Sequence, residues 1–129
     1  MSSGYKAPDF DEPQLAKAVE ALTQDELDRL PFGAIRLNAK GETEVFSASE
    51  RRLSGFGDRP ALGHNFFTQI APCMSKPSYR GRIERALGAG ALDLEFTHVG
   101  DFADSERELT VRVQSASGGG YWIFMRRED

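Results

Sequence analysis

The apolar positions change period several times along the chain, and each change marks an element. "PQLAKAVEAL" brings Leu15, Val19 and Leu22 to one helical face. "TQDEL" has the form of a capping box, Thr23 capping and Glu26 reaching back, and predicts a second short helix that brings Leu27 and Leu30 together. From "FGAIRLN" the period drops to two, with Ala34, Arg36 and Asn38 on one side and Ile35 and Leu37 on the other. "NAKGE" reads as a turn around Gly41 and "TEVF" as the partner strand, which predicts a hairpin. From Ser47 to Leu62 the chain is polar and broken by Gly55, Gly57 and Pro60, so only short helices fit. "SYRGRIERALGAG" predicts the longest helix, striped by Tyr79, Ile83, Ala86 and Leu87 and ended by Gly88 or Gly90. Three strands follow. "ALDLEFTHV" alternates at Leu92, Leu94, Phe96 and His98, and "ELTVRVQ" at Leu109, Val111 and Val113. "YWIFMRR" is apolar nearly throughout, as a central strand is when both its faces are covered, and "SASGGG" turns into it.

This order defines an α+β class: a five-stranded antiparallel sheet with helices grouped on one face and an N-terminal helical cap. Residues 1–30 form the cap and 31–129 the core of a single domain. The order fits a PAS-type domain, in which the sheet and the helical middle segment enclose a small molecule. Fold likeness of that kind does not by itself give a function.

Composition narrows the classes. The chain has 129 residues, 40% of them hydrophobic, enough for one domain with its own core. Its single cysteine, Cys73, cannot form an internal disulfide, which points to a reducing, cytoplasmic setting. No apolar run approaches the ~20 residues that span a bilayer, and the start "MSSGYKAPDFDEP" has no apolar signal region. The net charge is −4 and the basic residues are scattered, which argues against nucleic acid as a partner. Nothing in the sequence calls for a dimer, so a monomer is expected.

Several residues carry possible chemistry. Cys73 reads first as an inert core cysteine, since free cysteine is among the most buried residue types. Zinc is disfavoured, because no paired Cys or His ligands stand at metal-binding spacing. A thiol hydrolase would need a base, and neither His64 nor His98 sits in a motif that supplies one. Pro72 beside the thiol suggests a fixed loop rather than an activating helix N-terminus. The chain is therefore not read as an enzyme. Glu50 closes the pattern "SASE", a capping box in its own right; its alternative is a buried acid facing a ligand, with a raised pKa and a proton to donate. Phe32, Phe46, Phe66, Phe67, Phe96 and Trp122 read as core, with an aromatic-lined cavity as the alternative.

From about Leu27 to Arg127 these residues fall into a known order. "LPFGAIRL" (Leu30–Leu37), Glu50 with Ser54, "GHNFFTQIAPC" (Gly63–Cys73), Pro77, Gly81, "GAL" (Gly90–Leu92) and "YWIFMRR" together resemble the photoactive yellow protein family of bacterial PAS-fold blue-light receptors. The resemblance implies a cofactor, p-coumaric acid (4-hydroxycinnamic acid), held as a thioester on Cys73. It implies that the phenolic oxygen is held as a phenolate by Glu50 and a tyrosine, with Ser54 supporting, and that Glu50 gives up its proton after light isomerises the double bond. Phe66 and Pro72 belong to the same implied pocket.

This chain departs from the pattern in four places. Phe46 stands where the family has the donating tyrosine, and Phe56 where it has a covering arginine. Phe102 and Asp104 stand where a tyrosine and a methionine are usual. Phe46 cannot donate a hydrogen bond, so a bound chromophore is expected to be partly protonated and blue-shifted in the dark. Asp104 in place of the methionine predicts slow recovery. No output domain is visible, so the resemblance implies a separate downstream signalling protein as partner. The alternative is a PAS-fold small-molecule-binding or protein-interaction module with no covalent chromophore.

Overall fold

The structure is a computed structural model that describes residues 7–71, 80–88, 92–99 and 106–127. Two short helices open it, α1 (Leu15–Glu20) and α2 (Gln24–Asp28). Thr23 and Glu26 form the expected capping box at α2: the Glu26 amide donates to Thr23 Oγ1 at 3.2 Å and the Thr23 amide to Glu26 Oε1 at 2.9 Å. The hairpin β1 (Gly33–Leu37) and β2 (Thr43–Phe46) follows, then α3 (Ala48–Ser54). A five-residue π-helical turn occupies Phe66–Ile70, where the sequence pattern suggested no helix. Of the predicted long helix, Arg82–Gly88 is described as α4, while Tyr79 and Gly90 lie outside the described residues. The strands β3 (Asp93–Val99), β4 (Glu108–Ser115) and β5 (Tyr121–Arg127) close the chain.

The five strands form one antiparallel sheet in the order β2-β1-β5-β4-β3. β5 lies at its centre, which accounts for its nearly continuous apolar character. Its alternate residues serve two cores. Tyr121, Ile123 and Met125 join Ile35, Leu37, Val111 and Val113 in a cluster that also holds Phe46, Phe56, Phe66, Phe67 and Ile83. Trp122 and Phe124 point the other way and join Phe10, Leu15, Val19, Leu27, Leu30 and Phe32. The N-terminal cap therefore covers the sheet face opposite the core of the middle segment. On that face Trp122 stacks on Phe124 with ring centroids 5.7 Å apart. The predicted core aromatics are thus core, but Phe32 and Trp122 belong to the cap side and Phe46, Phe66 and Phe67 to the other. Phe96 packs at the edge of the second group, half-buried.

Polar side chains on the sheet tie the cap down. Arg112 Nη1 donates to the carbonyls of Phe10 (2.6 Å) and Glu12 (2.8 Å). Gln114 accepts from the Ala16 amide at 2.8 Å and donates to the Pro13 carbonyl at 2.9 Å. Both side chains lie on β4, in register with the cap face, and satisfy backbone groups that would otherwise be buried without partners. At the β4–β5 turn Gly120 has φ +76°, and a Cβ there would fall on the Leu37 carbonyl, so the turn passes too close to β1 for any side chain.

Candidate ligand site

Glu50 lies in the first turn of α3 and is 1% exposed. Half of the cap expected from "SASE" is present: the Glu50 amide donates to Ser47 Oγ at 3.0 Å. The other half is not, which corrects the reading of Glu50 as a box-closing residue. The Ser47 amide donates to the Ala34 carbonyl at 3.0 Å, and the Glu50 carboxylate turns inward instead. There it meets Arg127, whose Nη1 donates to Oε1 at 2.8 Å and whose Nη2 donates to Oε2 at 2.9 Å. The two side chains are 1% and 3% exposed, so this is a buried, bidentate ion pair. Gly33 makes the space for it: a Cβ at that position would fall on Glu50 Oε1. Arg127 was not among the site residues that the sequence suggested. A signal for it existed, since the two-residue period of β5 places Arg127 on the same side as Ile123 and Met125, where a cation needs a partner.

Ser54 sits one turn after Glu50, on the same face of α3, and is fully buried. Its Oγ accepts from the Phe56 amide at 3.1 Å, and among the described residues no acceptor takes its own proton. Gly55, with φ +83°, ends the helix and turns the chain so that Phe56 comes back over Phe46. Their ring centroids are 5.0 Å apart and both residues are buried. Arg51 lies across the pair, 5.2 Å from the Phe46 ring and 5.9 Å from that of Phe56, while its Nη1 donates to the carbonyls of Gly57 (2.8 Å) and Arg59 (2.7 Å). Arg59 stands 5.6 Å from the Phe56 ring. At the position of the family's covering arginine, this chain has a buried phenylalanine covered by two arginines.

The "NFF" stretch has a structural reason. Asn65 Oδ1 accepts from the amides of Phe67 (3.0 Å) and Thr68 (3.1 Å), which caps the π-helical turn. Its Nδ2 donates to the Lys40 carbonyl at 3.1 Å, and the Phe66 amide to the Gly41 carbonyl at 2.9 Å, which ties the turn to the β1–β2 hairpin. The Ala71 amide closes the wide turn on the Phe66 carbonyl at 2.7 Å. Phe66 and Phe67 are buried and meet edge to face. Pro72 and Cys73, which follow in sequence, lie with Phe102 and Asp104 outside the described residues.

The structure thus brings Phe46, Phe56 and Phe66 into one core and sets Ser54 against Phe56. It gives Glu50 a guanidinium that sequence reading did not assign. The polar groups, a carboxylate that accepts and a hydroxyl with an uncommitted proton beside an aromatic cluster, suit an aromatic ligand bearing one ionisable oxygen. Among the described residues no helix is long and apolar enough to cross a membrane.

A curated photoactive yellow protein of Rhodothalassium salexigens is 31% identical over 119 residues, covering 92% of this chain and 95% of the relative. The chain belongs to the photoactive yellow protein family. The photoactive yellow protein domain from the sensor histidine kinase Ppr of Rhodospirillum centenum is 35% identical, superposes with a TM-score of 0.77, and is matched over 86% of this chain and 98% of that domain. The PAS domain of a Colwellia psychrerythraea protein shares the fold at a TM-score of 0.61 with 11% identity, over 81% of this chain and 92% of that one. No family model matches the chain.

Proposed function

We propose that this protein is a blue-light photoreceptor that carries p-coumaric acid as a thioester on Cys73 and signals to a separate protein in the cytoplasm. The observation that carries the reading is the fully buried α3 face of Glu50 and Ser54, in a chain that belongs to this family. When bound, the p-coumaroyl group supplies a light-absorbing band, whose wavelength follows the protonation of its oxygen, and a double bond that light can isomerise. The chain's own residues set the protonation of its oxygen. Ser54 has a hydroxyl proton to donate, Phe46 has none, and Glu50 exchanges a proton with the ligand oxygen across the site. The shell of Phe46, Phe56 and Phe66 excludes water, which strengthens each of these bonds. Asp104, in place of the family's methionine, supports slow return to the dark state.

Phe46 and Phe56 favour a second reading. Their direct ring contact fills space beside α3, as it would in a PAS-fold binding or interaction module with no covalent group. Loading separates the two. Apoprotein treated with an activated p-coumaric ester is expected to gain one p-coumaroyl mass as the Cys73 thiolate takes the acyl carbon and the leaving group departs. Cys73→Ala is expected to gain none. A wild-type chain that takes up no label under native conditions supports the second reading and rejects the first.

A further inference from the structure

We infer that Arg127 is a positioning residue that keeps Glu50 ionised. The hydroxyl of a bound aromatic ligand is then held as a neutral donor to Glu50 rather than as a phenolate accepting from it. The ligand half of this inference rests on the function proposed above; the half that concerns Glu50 stands on the chain alone.

The geometry carries the first half. Both oxygens of Glu50 accept from Arg127, at 2.8 and 2.9 Å. A protonated carboxyl would turn its O–H towards one of those two donors, so the fork fits the carboxylate and not the acid. With 1% and 3% exposure, water does not compete for either partner. Gly33 seats the carboxylate against the β1 backbone. Two other guanidiniums beside α3 reach backbone carbonyls instead. Arg51 turns to the Gly57 and Arg59 carbonyls, and Arg107 donates to the Leu53 carbonyl at 2.9 Å. Arg126 lies on the opposite sheet face, 4.7 Å from the Phe10 ring and 3.6 Å from Asp11. Arg127 is therefore the cation that faces Glu50 in the fork.

The second half is a proton balance. One proton is shared between Glu50 and the ligand oxygen. While Arg127 holds Glu50 as an anion, that proton stays on the ligand. Without Arg127 it passes to Glu50 and leaves the negative charge on the ligand oxygen, where Ser54 can donate to it. Phe46 acts in the same direction as Arg127, because it withholds a donor from the charged ligand.

The test is infrared absorption in the carbonyl region of protonated carboxyls, on apoprotein at neutral pH. The difference between wild type and Glu50→Gln is expected to contain no such band. Arg127→Met is expected to gain one, lost again in the Glu50→Gln/Arg127→Met double variant, while Arg127→Lys keeps the wild-type spectrum. A protonated-carboxyl band in the wild type that disappears in Glu50→Gln overturns the inference. That comparison uses no Arg127 variant, so misfolding of Arg127→Met leaves the test intact. A merely structural Arg127 would not move a proton. In loaded protein Arg127→Met is expected to shift the dark absorption to longer wavelength; unchanged colour overturns the ligand half. Failure to load at Cys73 rejects the proposed function and leaves the infrared result standing.

Discussion

Phe46 ends β2, four residues before the buried acid of α3, and has no group with which to hold an oxygen. Its ring does other work, packing against Phe56 and lying under Arg51. A hydrogen bond to a charged group contributes about 1.5–3 kcal/mol, and it would favour the phenolate form of a ligand. Phe46→Tyr in the loaded protein is therefore expected to lower the apparent pKa of the dark chromophore by roughly one to two units. A titration of its colour measures this. The same apparent pKa in both proteins contradicts the donor argument. Glu50 shows a second residue-scale effect. Removing one member of a buried ion pair costs about 3–5 kcal/mol, because the other charge is left without compensation.

At the scale of elements, Glu20 is one of the ties that hold α1 to the sheet. Its Oε2 accepts from Trp122 Nε1 (2.9 Å), the Ser117 amide (3.0 Å) and Arg36 Nη1 (3.4 Å). Burial alone would raise its pKa, but the hydrogen bonds from Trp122 and Ser117 and the charge of Arg36 outweigh burial and leave it lowered. A lowered folded pKa means stability that is complete above the ordinary carboxylate value of 4.5 and lost as pH falls below it through the folded value. Glu20→Gln is expected to lower stability at neutral pH by roughly 1–3 kcal/mol, with the gap to wild type closing on acidification. Urea midpoints followed by Trp122 fluorescence across acidic pH check this. A gap that stays constant with pH rejects it.

The elements also show what the sequence makes legible. Period-two alternation predicted β1, β3 and β4, the turn at Gly41 predicted β2 as hairpin partner, and the nearly continuous apolar run predicted the central place of β5, because each rests on local patterning that tertiary structure reinforces. The capping box at Thr23 was equally local. The π-helical turn at Phe66–Ile70 was not, since it depends on Asn65 reaching across to the hairpin at Lys40. Glu50 was readable as either cap or buried acid. What decides is Arg127, 77 positions away in sequence, together with the missing Cβ of Gly33. Pairing at that distance leaves little trace in a single sequence. The cap's position opposite the other core has the same cause: Arg112 and Gln114 look like surface residues of an amphipathic strand until the cap's carbonyls are set against them.

At the scale of the molecule, β5 is shared by everything that matters here. One face carries Arg127 and the core that includes Phe46 and Phe56; the other carries Trp122 and Phe124, on which the cap rests. Tyr121, on the first face, has its phenol pushed up to about 12 by burial and by the nearby charge of Glu84, despite the opposing charge of Arg80. A change of charge at Glu50 is felt first by Arg127 and so by β5. That gives the proposed signal a physical route towards the cap and towards a partner that reads it. The most direct test of the whole account is the absorption of Cys73-loaded protein before, during and after illumination within its dark band. The account predicts a dark band that falls under light and returns slowly in darkness. A band that light leaves unchanged, or a change equally shown by ligand merely mixed with Cys73→Ala protein, would contradict it.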